Sequence, residues 1–128
     1  MVSIFAFSTE NWKRPKDEVD YLFSLPKLFF DEHISYFIEN KIKIVISGEY
    51  QKLPKDTVLV LKDALEKTKN FDKKIFNIAL NYGGKDEILM ACQKIAFDYK
   101  NHHLQLGEIT KDRFEDYLYH KLPPIDLL

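Results

Sequence analysis

Cysteine is all but missing from this chain: Cys92 is the single one among 128 residues. No internal disulfide can form, and a reducing cytoplasm is the default expectation. Long apolar runs are lacking too, with no window approaching the roughly 18 residues that a membrane-spanning helix needs. Charge of one sign is not in excess: 19 Lys and Arg face 20 Asp and Glu, for a net charge of −1. That balance gives no electrostatic case for nucleic acid or an acidic membrane as partner. Glycine is sparse, at four residues, and no G-x-G-x-x-G or Walker pattern is formed from it, which disfavours the common nucleotide-binding loops. No basic stretch precedes the first apolar run, so a signal peptide is not expected. Internal repeats, low-complexity tracts and linkers are lacking as well.

What is present is aromatic and alternating. Ten Phe and seven Tyr supply large apolar surfaces, and the length suits one domain. The chain reads as three units of strand, loop and helix. Strands are expected at Val2–Phe7, Ile42–Ile46 and Ile75–Leu80. A helix opens near Pro15, a favoured first-turn residue, with Asp17 and Glu18 at the positive end of its dipole. Its apolar positions run at helical spacing to Asn40, and Pro26 is expected to kink or split it. A second helix starts at Pro54 with Val58, Leu61, Ala64 and Leu65 on one face. A third spans Lys85–Tyr99 with Ile88, Leu89, Cys92, Ile95 and Ala96 inward, and a short one covers Lys111–His120.

This alternation predicts an α/β fold with a mostly parallel β-sheet flanked by helices. Such a sheet sends all three strand-end loops to one edge, where ligands of open α/β sheets bind. Met1 runs straight into a strand pattern, and Leu122-Pro123-Pro124-Ile125-Asp126-Leu127-Leu128 reads as a loop entering a further apolar strand. The chain is therefore expected to be incomplete at both ends, a piece of a larger domain.

The segment between the first strand and its helix concentrates the chemistry. Ser8 and Thr9 bring hydroxyls, Glu10 a carboxylate, Asn11 an amide, Trp12 the only indole of the chain and Arg14 a planar fork of donors. The guanidinium suits phosphate or carboxylate, and the indole offers an apolar face whose N–H needs a partner. The alternative is a capping loop, with Ser8 or Thr9 bonding local backbone, Trp12 packing on the helix and Arg14 paired with Glu18. Gly83-Gly84 before the third helix is a second candidate for anion contact, although a tight strand-to-helix turn explains it equally simply. His102-His103 has no ligand-spaced partner and reads as a solvated turn. Cys92 has no histidine near it in the pattern and is not expected to be a nucleophile.

The stretch Ala6-Phe7-Ser8-Thr9-Glu10-Asn11-Trp12-Lys13-Arg14-Pro15-Lys16-Asp17-Glu18-Val19 resembles a signature of the cis-prenyltransferases, the undecaprenyl diphosphate synthase or isoprenyl transferase family. Leu53-Pro54, Ala79-Leu80-Asn81-Tyr82-Gly83-Gly84-Lys85-Asp86-Glu87-Ile88 and Leu122-Pro123-Pro124-Ile125-Asp126-Leu127-Leu128 agree in order and spacing. The resemblance covers essentially the whole chain. It implies an enzyme condensing isopentenyl diphosphate with an allylic diphosphate such as farnesyl diphosphate, with cis double bonds and with Mg²⁺ assisting diphosphate departure. The product would be a lipid carrier for cell-wall precursors, held during growth in an apolar tunnel between sheet and helices. A homodimer, with peripheral membrane contact for product release, is implied too.

By the same resemblance Ser8, Thr9, Glu10, Trp12 and Arg14 fall at substrate-binding positions, and Asn11 at that of the proton acceptor. Phe5, Phe23, Phe29 and Phe30 are candidates for tunnel or core. The family's Asp-Gly-Asn-Gly segment with its metal aspartate and its Arg-Thr-Ser-Gly-Glu clamp have no counterpart here, so the Mg²⁺ ligands are expected outside this chain and the chain alone is expected to be inactive. Lys73 and Lys74 stand where relatives carry small or apolar residues. Two other readings remain: a non-catalytic subunit of the same descent, and an unrelated small phosphate-binding α/β domain.

Overall fold

The computed structural model describes residues 1–120, without the side chains of Glu10 and Asn11. The expected loop and strand at Leu122–Leu128 lie outside the described residues. Three parallel strands, β1 (Val2–Ser8), β2 (Ile42–Ser47) and β3 (Lys74–Tyr82), form a sheet in the order β1-β3-β2. Helices α1 (Lys16–Glu39), α2 (Lys55–Thr68), α3 (Gly84–Lys100) and the short α4 (Lys111–Glu115) follow. The α/β parallel-sheet expectation is met.

Alternation sorts the sheet into two faces. Ile44, Ile46, Ile78 and Leu80 join one cluster with Val19, Phe23, Phe30, Phe37, Leu61 and Ala64 from α1 and α2. Val45 and Ala79, at the intervening positions, are buried outside that cluster, as are Ala91 of α3 and Leu104. The second face also buries a polar row across all three strands: Ser47 Oγ donates to Asn77 Oδ1 at 2.8 Å, and Asn77 Nδ2 donates to Ser3 Oγ at 3.0 Å. Among the described residues no buried side-chain nitrogen or oxygen lacks a hydrogen-bond partner, so burial of this row costs little.

Pro26 does not split α1, which runs unbroken for 24 residues. A proline removes one rung of the hydrogen-bond ladder, and here hydroxyls serve carbonyls beside the gap. Ser24 Oγ donates to the Tyr21 carbonyl at 2.6 Å, and Thr57 Oγ1 of α2 reaches the Phe23 carbonyl at 2.9 Å. Packing against α2 holds together what proline weakens.

Two helical expectations are corrected. The inward side of α3 is Glu87, Ala91, Ile95 and Asp98, while Ile88, Leu89, Cys92 and Ala96 are exposed. Hydrogen bonds turned the helix. Glu87 accepts from the Tyr82 hydroxyl at 2.7 Å and from the Tyr119 amide at 2.9 Å, and Asp98 accepts from the Tyr117 hydroxyl. Two carboxylates with such partners take the inner face from the aliphatic stripe. The last helix is also shorter than expected: α4 ends at Glu115, and the chain continues in turns to His120.

Candidate functional site at the carboxyl edge of the sheet

Where β1 ends, its pairing with β3 becomes irregular. Phe5 faces Ala79, Phe7 faces Leu80 and Ser8 faces Tyr82, so Ala6 on β1 and Asn81 on β3 have no opposite number. Such extra residues bend a strand and re-aim its side chains. Beyond Ser8 the chain folds into a 3-10 turn, Thr9–Lys13, and α1 begins after Pro15, whose φ of −52° suits its place at the helix entrance.

Trp12 lies across this turn. Its ring contacts Phe7 edge-on at 5.8 Å and Phe23 at 4.9 Å between centroids, so the buried aromatic core supports it from below. Its N–H donates to Asn81 Oδ1 at 2.7 Å. The indole is nevertheless 43% exposed, with part of its surface open to a ligand. The Asn81 amide also donates through Nδ2 to the Glu49 carbonyl at 2.8 Å, and the Glu49 amide donates to the Asn81 carbonyl at 3.2 Å.

Glycines let these loops meet. Gly48, at φ +123°, adopts a backbone that side chains resist, and a Cβ there would overlap the Leu80 carbonyl oxygen. At Gly83 a Cβ would overlap Asp86 Oδ2 and come within 2.7 Å of Thr9 Oγ1. The loops after β1, β2 and β3 therefore converge in space, as the parallel sheet led us to expect.

Ser8 and Thr9 are half-buried at this edge, and Trp12 crosses it. Arg14 is exposed and takes part in none of the ion pairs among the described residues, so the alternative pairing with Glu18 is not formed. The side chains of Glu10 and Asn11, two of the expected substrate contacts and proton acceptor, lie outside the described ones. Gly83-Gly84 forms the strand-to-helix turn, with the Asp86 carboxylate folded back over it. His102-His103 lies in an exposed turn, with His102 at φ +61°.

Asn81 was missed by sequence reading, which ended β3 at Leu80. Its signals were an asparagine, a residue tolerant of positive φ, two positions before the glycine pair, and its place within the motif Ala79–Ile88.

The edge does not fit a magnesium site. Among the described residues no three His, Cys, Asp or Glu side chains gather to hold a metal ion. Two nearby carboxylates are engaged otherwise, Glu49 with Lys52 at 2.7 Å and Glu87 with Tyr82. Burial, reinforced by that bond, pushes the Tyr82 phenol up to about 12, and burial raises Tyr119 as well. These groups stay protonated and structural at neutral pH.

Beneath the edge an apolar cavity of about 190 Å³ lies between β1 and α1, lined by Ile4, Ala6, Leu22, Leu25, Phe29 and Ile78 among others. Phe29 also lines a wider groove of about 700 Å³ at the opposite, amino edge, stacked on Phe76 with centroids 6.4 Å apart. Of the four candidate phenylalanines, Phe23 and Phe30 are buried core, whereas Phe5 and Phe29 keep exposed surface. Among the described residues no helix is long and apolar enough to cross a membrane.

These observations describe a parallel α/β sheet with a polar loop cluster at its carboxyl edge and an apolar cavity between β1 and α1. The family model described as "Putative undecaprenyl diphosphate synthase" matches residues 1–128, and the chain belongs to this prenyl transferase family. The isoprenyl transferase of Streptococcus pyogenes serotype M3 (strain ATCC BAA-595 / MGAS315) is 45% identical over 118 residues, covering 92% of this chain and 47% of that protein. That of Streptococcus pneumoniae (strain ATCC BAA-255 / R6) is 40% identical over 127 residues, 99% of this chain and 50% of that protein.

Among solved structures, a lavandulyl diphosphate synthase from Lavandula x intermedia, in complex with dimethylallyl diphosphate, superposes with a TM-score of 0.86 at 26% identity, covering 91% of this chain and 50% of that one. A probable undecaprenyl diphosphate synthase from Campylobacter jejuni gives 0.77 at 34% identity, over 91% and 53%. The chain spans about half the length of the curated relatives it matches.

Proposed function

We propose that this chain forms one wall of the active site of an enzyme that condenses isopentenyl diphosphate with an allylic prenyl diphosphate to give a cis-polyprenyl diphosphate. The observation that carries the reading is the meeting of three strand-end loops at the edge that Ala6 and Leu80, two lining residues of an apolar cavity, lead into. In this reading Arg14, Ser8 and Thr9 bind diphosphate, and charge-assisted bonds from the guanidinium supply most of the attraction. Trp12 and Glu10 complete the substrate wall, and the prenyl tail lies in the cavity lined by Ala6, Leu22 and Phe29. A carbon–carbon bond forms as diphosphate leaves the allylic partner, and a proton leaves the isopentenyl unit. Asn11 takes part in that last step, relaying the proton to water or diphosphate, because an amide is a weak base.

Mg²⁺ would be held by residues outside this chain. The relatives named as isoprenyl transferases and the neighbour bound to dimethylallyl diphosphate support the substrate class. Homodimerisation, release of the product at a membrane and its use as a cell-wall lipid carrier belong to the same reading.

The test is a graft. These residues replace the equivalent segment of the Streptococcus pneumoniae relative, and Mg²⁺-dependent incorporation of labelled isopentenyl diphosphate onto farnesyl diphosphate is measured. The grafted enzyme is expected to make cis-polyprenyl product and the isolated chain none. A folded but inactive graft would instead favour a non-catalytic module, and incorporation by the isolated chain would refute the division of the site.

A further inference from the structure

Asn81 joins all three strand-end loops through its one side chain and its own backbone. It is 2% exposed, adopts φ +50° and is the extra residue of β3 opposite the Phe7–Ser8 step. That irregularity takes its side chain out of the regular alternation and leaves it free to reach both neighbouring loops. The bonds themselves fix the direction of its amide. An indole N–H only donates and a carbonyl only accepts, so Oδ1 faces Trp12 at 2.7 Å and Nδ2 faces the Glu49 carbonyl at 2.8 Å. Aspartate would set an oxygen against the Glu49 carbonyl, and leucine of similar size would leave both partners unmet.

We propose that Asn81 is a positioning residue for substrate binding: it fixes the Trp12 indole over the carboxyl edge and locks the β1 loop to the β2 loop. The proposal rests on the reading of the Trp12 loop as a substrate wall. Phe7 and Phe23 support the Trp12 ring, but ring contacts allow sliding, and a directional bond of 2.7 Å does not. Without Asn81 the indole keeps its place in the sequence and loses its orientation.

The experiment has two arms. Trp12 is the only tryptophan of the 128-residue chain, so fluorescence anisotropy of the isolated chain reads its mobility directly. Asn81→Gly suits the positive φ while deleting the amide, and it is expected to lower the anisotropy.

In the grafted enzyme Asn81→Gly is expected to raise KM for the allylic diphosphate about tenfold, the size of one lost hydrogen bond, with kcat changed less than about twofold. In a Trp12→Phe background, where no indole N–H remains, the same substitution is expected to raise KM less than about twofold, because coupled residues are not additive. Unchanged anisotropy in Asn81→Gly, or an equal KM penalty with and without the indole, would overturn the proposal. Should glycine cost the fold, Trp12→Phe reads the same bond from its other end while keeping a ring on Phe7 and Phe23, and an unaltered KM there would overturn it equally. An inactive graft would count against the functional reading, while the anisotropy arm still decides the bond.

Discussion

Thr9 and Gly83 touch across the carboxyl edge of the sheet: a Cβ on Gly83 would come within 2.7 Å of Thr9 Oγ1 and would overlap the Asp86 carboxylate. Two loops far apart in sequence thus meet at a glycine where a side chain would displace those of Thr9 and Asp86. Gly83→Ala should push the Thr9 turn away from β3 and lower kcat/KM of the grafted enzyme roughly tenfold, as small misplacements of binding groups do. Gly84→Ala is the control. A Cβ there has nothing within 4 Å, so it should be neutral or slightly stabilising, by about 0.5 kcal/mol for an alanine in a helix. Steady-state kinetics and thermal melts of the two variants check the pair.

Tyr82 ties the end of β3 to α3, and its phenol is pushed up to about 12 by burial and by its bond to Glu87. Between the ordinary value of 10.0 and about 12 the folded chain therefore holds a proton that the unfolded chain has lost. Stability falls with pH wherever the folded state binds more protons. The contribution of Tyr82 is complete below about pH 10 and disappears as pH rises through the folded value. Tyr82→Phe keeps the ring against Phe5 and removes the titrating group. Urea midpoints measured from pH 8 upward should decline less steeply above pH 10 in this variant than in the parent chain. Parallel decline of the two would show that the phenol is not the group responsible.

Much of this architecture was legible because period and punctuation agreed. Pro15 and Pro54 marked the entrances of α1 and α2, and alternation placed Ile44, Ile46, Ile78 and Leu80 on the core face. The convergence of the Thr9, Glu49 and Gly83 loops followed from parallel strands alone. What escaped reading depended on hydrogen bonds between residues distant in sequence. The rotation of α3 came from Tyr82 and Tyr119 holding Glu87, 5 and 32 residues away, and apolar spacing carries no trace of that. Asn81 escaped for the same reason, since its partners lie 69 and 32 positions off.

The cavity between β1 and α1 offers a test of tail binding that spares the polar edge. Ala6 is the smallest of its lining residues and the extra residue of β1. Ala6→Leu would place a branched side chain in a space of about 190 Å³. The grafted enzyme should then discriminate by tail length, with KM for farnesyl diphosphate raised roughly tenfold and that for dimethylallyl diphosphate little changed, the scale of a few methylenes in an apolar pocket. Products should shorten as well, seen by chromatography of the labelled polyprenols. Equal effects on both primers would place the tail elsewhere.

Thr57 carries the last prediction, because it connects the tolerance of Pro26 to the core. Its hydroxyl is buried and donates to the Phe23 carbonyl, next to the rung that proline deletes from α1. Valine has nearly the same shape and no hydroxyl, so Thr57→Val leaves that carbonyl without this donor. The expected cost is about 1 kcal/mol, the net worth of one hydrogen bond. Thr57→Ser retains the bond and loses one methyl group, for about 1 kcal/mol. If the hydroxyl helps α1 to pass through Pro26 unbroken, the valine penalty should shrink in a Pro26→Ala background, where the backbone amide restores the ladder. Urea denaturation of the four chains forms a double-mutant cycle, and strict additivity would show that Thr57 and Pro26 act independently.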